Sequence, residues 1–204
     1  AAPITAFIIY CILDVSQLFF SDIRLNFLSY YENKTILITG CSSGIGKAMV
    51  RQLAAIPCKL YITARREHLL TELKNELKSF PANIFAVRCD SSDRSEVDNL
   101  FKSLGAGTIF DIAILNAGTS ARNPVTDFNM DDAEQIVKTN LLGVIGFFPH
   151  LIPMMMVRGG GVIAGVSSLA DARGLPKSSV YCASKSALTA FLEAARVELL
   201  PLNI

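Results

Sequence analysis

A tyrosine and a lysine stand four positions apart, at Tyr181 and Lys185, inside the run VYCASKSAL. Four positions is close to one helical turn, so in a helix the two side chains share a face. A tyrosine that exchanges a proton near neutrality needs its phenolate stabilised by about 3–4 kcal/mol relative to a free phenol. A unit positive charge ~4 Å away, at an effective dielectric of ~20, supplies about 4 kcal/mol. The pair therefore has the makings of a general acid–base device. Taken singly, a helical lysine is ordinarily a solvated surface group and a tyrosine in an apolar run is ordinarily core. The elements around them decide between these readings.

From residue 34 the chain alternates strand-like and helix-like runs. KTILITG (34–40), CKLYITA (58–64), NIFAVRCD (83–90), IFDIAILNAG (109–118) and GGVIAGVSS (160–168) are short, apolar and rich in β-branched residues, as buried strands are. Between them lie IGKAMVRQLAAI, then EHLLTELKNELKSF (67–80, stopped by Pro81), SEVDNLFKSL (95–104) and a long pattern over 130–156 with prolines near its end. The run 180–200 closes the series and carries Tyr181 and Lys185. This alternation predicts an α/β fold, a doubly wound parallel sheet with helices on both faces and right-handed crossovers. No strand follows the last helix, so the sheet is expected to be incomplete at its C-terminal side.

The first strand runs into Thr39-Gly40-Cys41-Ser42-Ser43-Gly44-Ile45-Gly46. Glycines at a strand-to-helix turn let the backbone approach a ligand. The helix that starts there offers unpaired N–H groups and the positive end of its dipole to a phosphate. The spacing is neither the tighter G-x-G-x-x-G nor a Walker loop. At the end of the second strand, where an NAD site places an acid for the ribose 2′-hydroxyl, the sequence reads Thr63-Ala64-Arg65-Arg66. Two guanidiniums there grip a 2′-phosphate, which predicts NADP(H) in preference to NAD(H).

With these pieces in order the chain resembles the short-chain dehydrogenase/reductase family over Lys34 to about Leu200. Thr39–Gly46 is similar to that family's TGxxxGxG cofactor loop. Asp90 stands where the family has an acid touching adenine. Asn116-Ala117-Gly118 is similar to its NAG turn beside the cofactor. Asn140, Ser168, Tyr181 and Lys185 fall at its catalytic positions, with Ser168 13 residues before Tyr181. The resemblance implies hydride exchange between a nicotinamide and a carbonyl or alcohol. Tyr181 would be acid or base, and Ser168 would hydrogen-bond the reacting oxygen. Lys185 would tune Tyr181 and hold the nicotinamide ribose, and Asn140 would position a relay water. The alternative readings are a non-catalytic dinucleotide-binding protein and an inactive fragment of such an enzyme. The family's later strands and substrate loop have no counterpart in this sequence.

Composition narrows the partners. With 51% apolar and 18% charged residues the 204-residue chain has ample core material, and a net charge of +1 gives no field for nucleic acid. Five scattered cysteines without CxxC spacing predict neither a disulfide framework nor a zinc site, and fit a reducing, cytoplasmic setting. The expected partner is a small carbonyl or alcohol. Apolar content in 130–156 and 180–200 fits a homodimer or homotetramer. Residues 1–33 form an extension outside the 34–204 domain, and ITAFIIYCIL (4–13) is an apolar run of ten. It reads equally as the remnant of a membrane anchor or signal, as a packed helix, or as sequence upstream of a true start; any membrane association would run through residues 1–20.

Overall fold

The structure, a computed structural model, describes residues 29–105 and 107–204. The expectations for residues 1–28 lie outside the described residues.

Five parallel strands form one sheet: β1 (Thr35–Thr39), β2 (Lys59–Ala64), β3 (Asn83–Arg88), β4 (Ile112–Leu115) and β5 (Val162–Gly165), in the order β3-β2-β1-β4-β5. Each pairing is parallel, with Ile38 opposite Ile62 on one side and Ile114 on the other. The chain winds outward from β1 to β3, then returns to β4 on the far side of β1. That reversal leaves a crevice beyond the carboxyl ends of β1 and β4, the place where open α/β sheets bind ligands.

The helices are α1 (Gly44–Ala54), α2 (Glu67–Glu76), α3 (Arg94–Ser103), α4 (Met130–Val137), α5 (Phe148–Arg158) and α6 (Ser179–Leu199). Alternation along β1 sorts them onto two faces. Ile36 and Ile38 join Met49, Val50 and Leu53 of α1 and Leu70 and Leu73 of α2 in one core. Leu37 points the other way, into Val97, Leu100 and Phe101 of α3, Leu151 and Met155 of α5 and Leu188 of α6. Tyr31, 1% exposed, already belongs to the first core, so packing begins before residue 34. Local signals set the boundaries. Asp93 caps α3 by accepting from the Ser95 and Glu96 amides, and Gly159 ends α5 in the left-handed region at φ 86°.

The expected single helix over 130–156 is interrupted. After α4 the backbone widens into a π-helical segment, Lys138–Leu142, followed by a short turn, Gly143–Ile145, before α5 begins at Phe148. Pro149 in the first turn of α5 has no N–H to bond backward, and a Cβ on Gly143 would sit 2.9 Å from the Ser91 carbonyl oxygen. Proline and close packing thus break the run that periodicity alone would continue. Met130–Arg158 is long and apolar enough by composition to cross a membrane, yet Phe148, Leu151 and Met155 are buried in the second core.

Leu37 is fully buried in the central strand. Leu37→Ala is predicted to cost about 2–5 kcal/mol, the usual range for a core leucine. Urea unfolding followed by circular dichroism checks this, and a change below about 1 kcal/mol would contradict the packing described.

Candidate active site

The crevice at the switch point is a groove of about 440 Å³. Gly40, Ser42, Ser43, Gly44 and Ile45 line one end of it. The backbone there tolerates only small residues. Gly40 has φ +73°, and a Cβ on it would lie 2.8 Å from the Ala117 Cα. A Cβ on Gly46 would lie 2.4 Å from the Gly40 carbonyl oxygen, so Gly46 serves by letting α1 pack onto the loop rather than by lining the groove. Gly44, at φ +57°, has open space where its Cβ would be. The first turn of α1 carries no acid, which leaves its N-terminus electropositive.

Thr39 is buried beneath the loop, and its Oγ1 accepts the Ala117 amide at 2.9 Å. Asn116 Nδ2 donates to the Thr39 carbonyl at 3.0 Å. These two bonds tie the end of β1 to the end of β4 across the crevice, and Asn116, Ala117 and Gly118 form its middle.

Arg65 and Arg66 both line the groove but do different things. Arg66 donates from Nε and Nη2 to Ser42 Oγ at 3.1 and 2.8 Å, and from Nη2 to Ser43 Oγ at 2.8 Å. Arg65 Nη1 lies 3.9 Å from Asp90 Oδ2. Asp90 in turn accepts from the Ser92 amide at 2.9 Å, which fixes its carboxylate at the groove wall. Cys89 beside it also lines the groove. Burial, aided by the neighbouring Glu96 and Asp90 charges, pushes its thiol up to about 12, so it stays a protonated, unreactive wall.

At the other end stand Tyr181 and Lys185, on one face of α6 as their spacing predicts. Lys185 is no surface lysine. It is 5% exposed, its Nζ donates to the Val166 carbonyl at 2.6 Å, and it lies 6.0 Å from the Tyr181 ring centroid. Burial holds the ammonium below the usual lysine range, and Asp171 opposes that shift. A Cβ on Gly118 would sit 3.3 Å from Asn140 Oδ1, so a small residue suits the NAG turn where it meets Asn140.

Ser168 and Asn140 border the site without lining the groove. Ser168 Oγ accepts the Ala170 amide at 3.2 Å, capping the turn after β5. Asn140 is fully buried, and both polar ends are engaged with protein. Its Oδ1 accepts the Thr119 amide at 2.8 Å, and its Nδ2 donates to the Thr119 carbonyl at 2.9 Å and to Ser184 Oγ at 3.1 Å. These bonds clamp the loop after β4 against α6. Sequence reasoning passed over Thr119, Ser120, Ser91, Thr139, Val166 and Ser167, which line the groove too. It also passed over Ser184, whose Oγ donates to the Tyr181 carbonyl at 2.8 Å. Ser184 stands three positions past Tyr181, and that spacing was the available signal.

A glycine turn at the switch point of a parallel sheet, with a tyrosine and a buried lysine across from it, defines a dinucleotide-binding oxidoreductase fold. Residues 34–204 match the family model for short chain dehydrogenase, and the chain belongs to the short-chain dehydrogenase/reductase family. It is 35% identical over 181 residues to an NADP-dependent 3-hydroxy acid dehydrogenase of Schizosaccharomyces pombe, covering 87% of this chain and 70% of that one. It is 32% identical over 168 residues to the ketoacyl reductase HetN of a Nostoc species, covering 81% of this chain but only 58% of the relative. Among solved structures, a short-chain type dehydrogenase/reductase from Mycobacterium marinum superposes with a TM-score of 0.79 at 28% identity, over 85% of this chain and 70% of that one.

A lysine held below its ordinary value destabilises the fold while the unfolded chain still binds the proton. Stability contributed at this position therefore rises with pH between the depressed folded value and the ordinary lysine value. The stability advantage of Lys185→Met over the wild type is predicted to be largest at neutral pH and to shrink as pH climbs through that window. Paired urea titrations across alkaline pH check the sign, and a widening gap would contradict it.

Proposed function

We propose that the chain binds NADP(H) and interconverts a small carbonyl compound and its alcohol. The observation that carries this reading is the buried Lys185 ammonium beside Tyr181, in the same groove as the glycine loop.

The residues fit the dinucleotide. The open space over Gly44 and the acid-free start of α1 suit a pyrophosphate, and Asp90 suits the adenine end. Arg65 and Arg66 suit a 2′-phosphate, and the Ser42 and Ser43 hydroxyls that Arg66 now engages would share it. When bound, the nicotinamide ring supplies or accepts the hydride. Tyr181 delivers the proton to the carbonyl oxygen during reduction and removes it during oxidation. Lys185 would place a positive charge beside the forming phenolate and would hold the nicotinamide ribose. Ser168 accepts the Ala170 N–H and so keeps its own hydroxyl proton for the substrate oxygen, where it stabilises the developing charge. Asn140 fixes the wall between Thr119 and α6.

The same reading includes a cytoplasmic location, supported by four buried free thiols among the described residues. It also includes self-association as a homodimer or homotetramer. Exposed Val157 on α5 and Val197 on α6, at 82% and 73%, support that assembly.

Tyr181→Phe is predicted to lower kcat for ketone reduction by roughly 10²–10⁴-fold, the usual worth of a positioned proton donor, with NADPH affinity kept. Arg65→Ala is predicted to weaken NADPH about 10–100-fold, the scale of a charged hydrogen bond, with NADH little changed. Fluorescence titration of both cofactors and initial rates on a ketone panel test these. Equal weakening of NADPH and NADH would remove the NADP(H) assignment, and cofactor binding without turnover of any carbonyl would make the chain a non-catalytic binder.

A further inference from the structure

We propose that Asp171 is a positioning residue for this site: its carboxylate locks the Ser168 segment onto the face of α6 that carries Lys185. The inference rests on the hydride-transfer reading above, because Ser168 and Lys185 take their roles from it.

After β5 the chain passes Val166, Ser167 and Ser168 before turning through a short 3-10 segment, Leu169–Asp171. Ser168 is extended, at φ −156° and ψ 156°, so it and Ser167 point opposite ways. Ser167 turns toward α6. Its Oγ lies 2.9 Å from Asp171 Oδ2 and 2.9 Å from Thr189 Oγ1, and Thr189 Oγ1 donates to the same Oδ2 at 2.8 Å. Three oxygens thus meet in a triangle with two hydroxyl protons between them. A carboxylate at the apex, an acceptor with no proton of its own, takes both. The Thr189 and Ser167 hydroxyls hold the Asp171 carboxyl below the usual carboxylate range, so the apex stays ionised at neutral pH.

The anchor has a second point. The Asp171 carbonyl accepts from Ser186 Oγ at 2.6 Å, so this one residue is tied to α6 at Ser186 and Thr189, flanking the turn that starts at Lys185. From there the hold passes back along the turn. The Asp171 amide donates to the Ser168 carbonyl at 3.0 Å, and the Ala170 amide donates to Ser168 Oγ at 3.2 Å. Apolar packing offers little else to fix this turn, since Leu169 is 96% exposed and only the methyl of Ala170 is buried. Ser168 is therefore placed relative to the lysine largely through polar contacts that converge on Asp171.

Two variants of the full chain separate the lock from simple folding and from charge. Asp171→Asn keeps an amide oxygen for the two hydroxyls and removes the charge, whereas Asp171→Ala removes both. Asp171→Ala is expected to lower kcat for ketone reduction roughly 10–100-fold, the scale of a misplacement of about 1 Å, with ketone KM and NADPH Kd within about twofold of wild type. Asp171→Asn is expected to stay within about threefold of the wild-type kcat. In the Asp171→Ala variant the backbone amides at positions 170 and 171 are expected to exchange with deuterium about tenfold faster or more than in the wild type, while those of α1 keep their rates. The proposal is overturned if Asp171→Ala keeps kcat within about twofold, if Asp171→Asn falls as far as Asp171→Ala, or if NADPH affinity falls in parallel with kcat. Unchanged exchange at positions 170 and 171 overturns it as well. Absence of turnover in the wild type would instead defeat the hydride-transfer reading, and the exchange comparison would still decide whether Asp171 holds the segment.

Discussion

A buried ammonium, that of Lys185, stands at the centre of the site. Taking an unpaired charge out of water costs several kcal/mol, so a buried lysine persists only where the fold compensates it. The Lys185 ammonium donates to the Val166 carbonyl, and the more distant Asp171 charge partly offsets the shift that burial imposes on it. That bond to Val166 fastens the end of β5 to α6 at the point where Tyr181 faces the groove.

The sheet makes that placement possible. Strand order reverses at β1 and β4, so the connections that follow them run to opposite faces of the sheet and leave room above the strand ends. Two apolar faces hold the sheet rigid beneath the crevice, one against α1 and α2 and the other against α3, α5 and α6. The polar groups that do the positioning are few, mostly buried and mutually satisfied. Thr39 and Asn116 bridge β1 to β4, and Asn140 bridges the following loop to α6. Such groups hold geometry well because any one left unpaired would carry its full desolvation cost.

Much of this was legible in the sequence. Short β-branched runs alternating with amphipathic ones placed all five strands, and the Tyr181–Lys185 spacing placed their shared face. The glycines at 40, 44 and 46 marked the turn between β1 and α1, because close backbone approach at 40 and 46 and a left-handed backbone at 40 and 44 leave a mark in residue type. What stayed hidden was decided by tertiary contact. The break near Asn140 depends on Gly143 meeting the Ser91 backbone, and no periodicity reports such a meeting. Arg65 and Arg66 looked equivalent as a pair, yet one turns to Asp90 and the other to Ser42 and Ser43. The hydrogen bonds of Asn140 to the Thr119 backbone left no trace in the sequence, since the two residues are 21 positions apart. Asp171 carried no motif at all, since its partners Ser167 and Thr189 become neighbours only when α6 packs beside the β5 turn.

The central claim is that a buried positive charge makes a tyrosine the proton donor for hydride chemistry. It is tested most directly by single-turnover transfer of deuterium from C4-deuterated NADPH to a ketone, comparing the wild type with Lys185→Met at equal cofactor occupancy. The account predicts deuterium at the carbinol carbon with the wild type and a transfer rate reduced at least about 100-fold in the variant. Transfer at an undiminished rate without the lysine charge would contradict it.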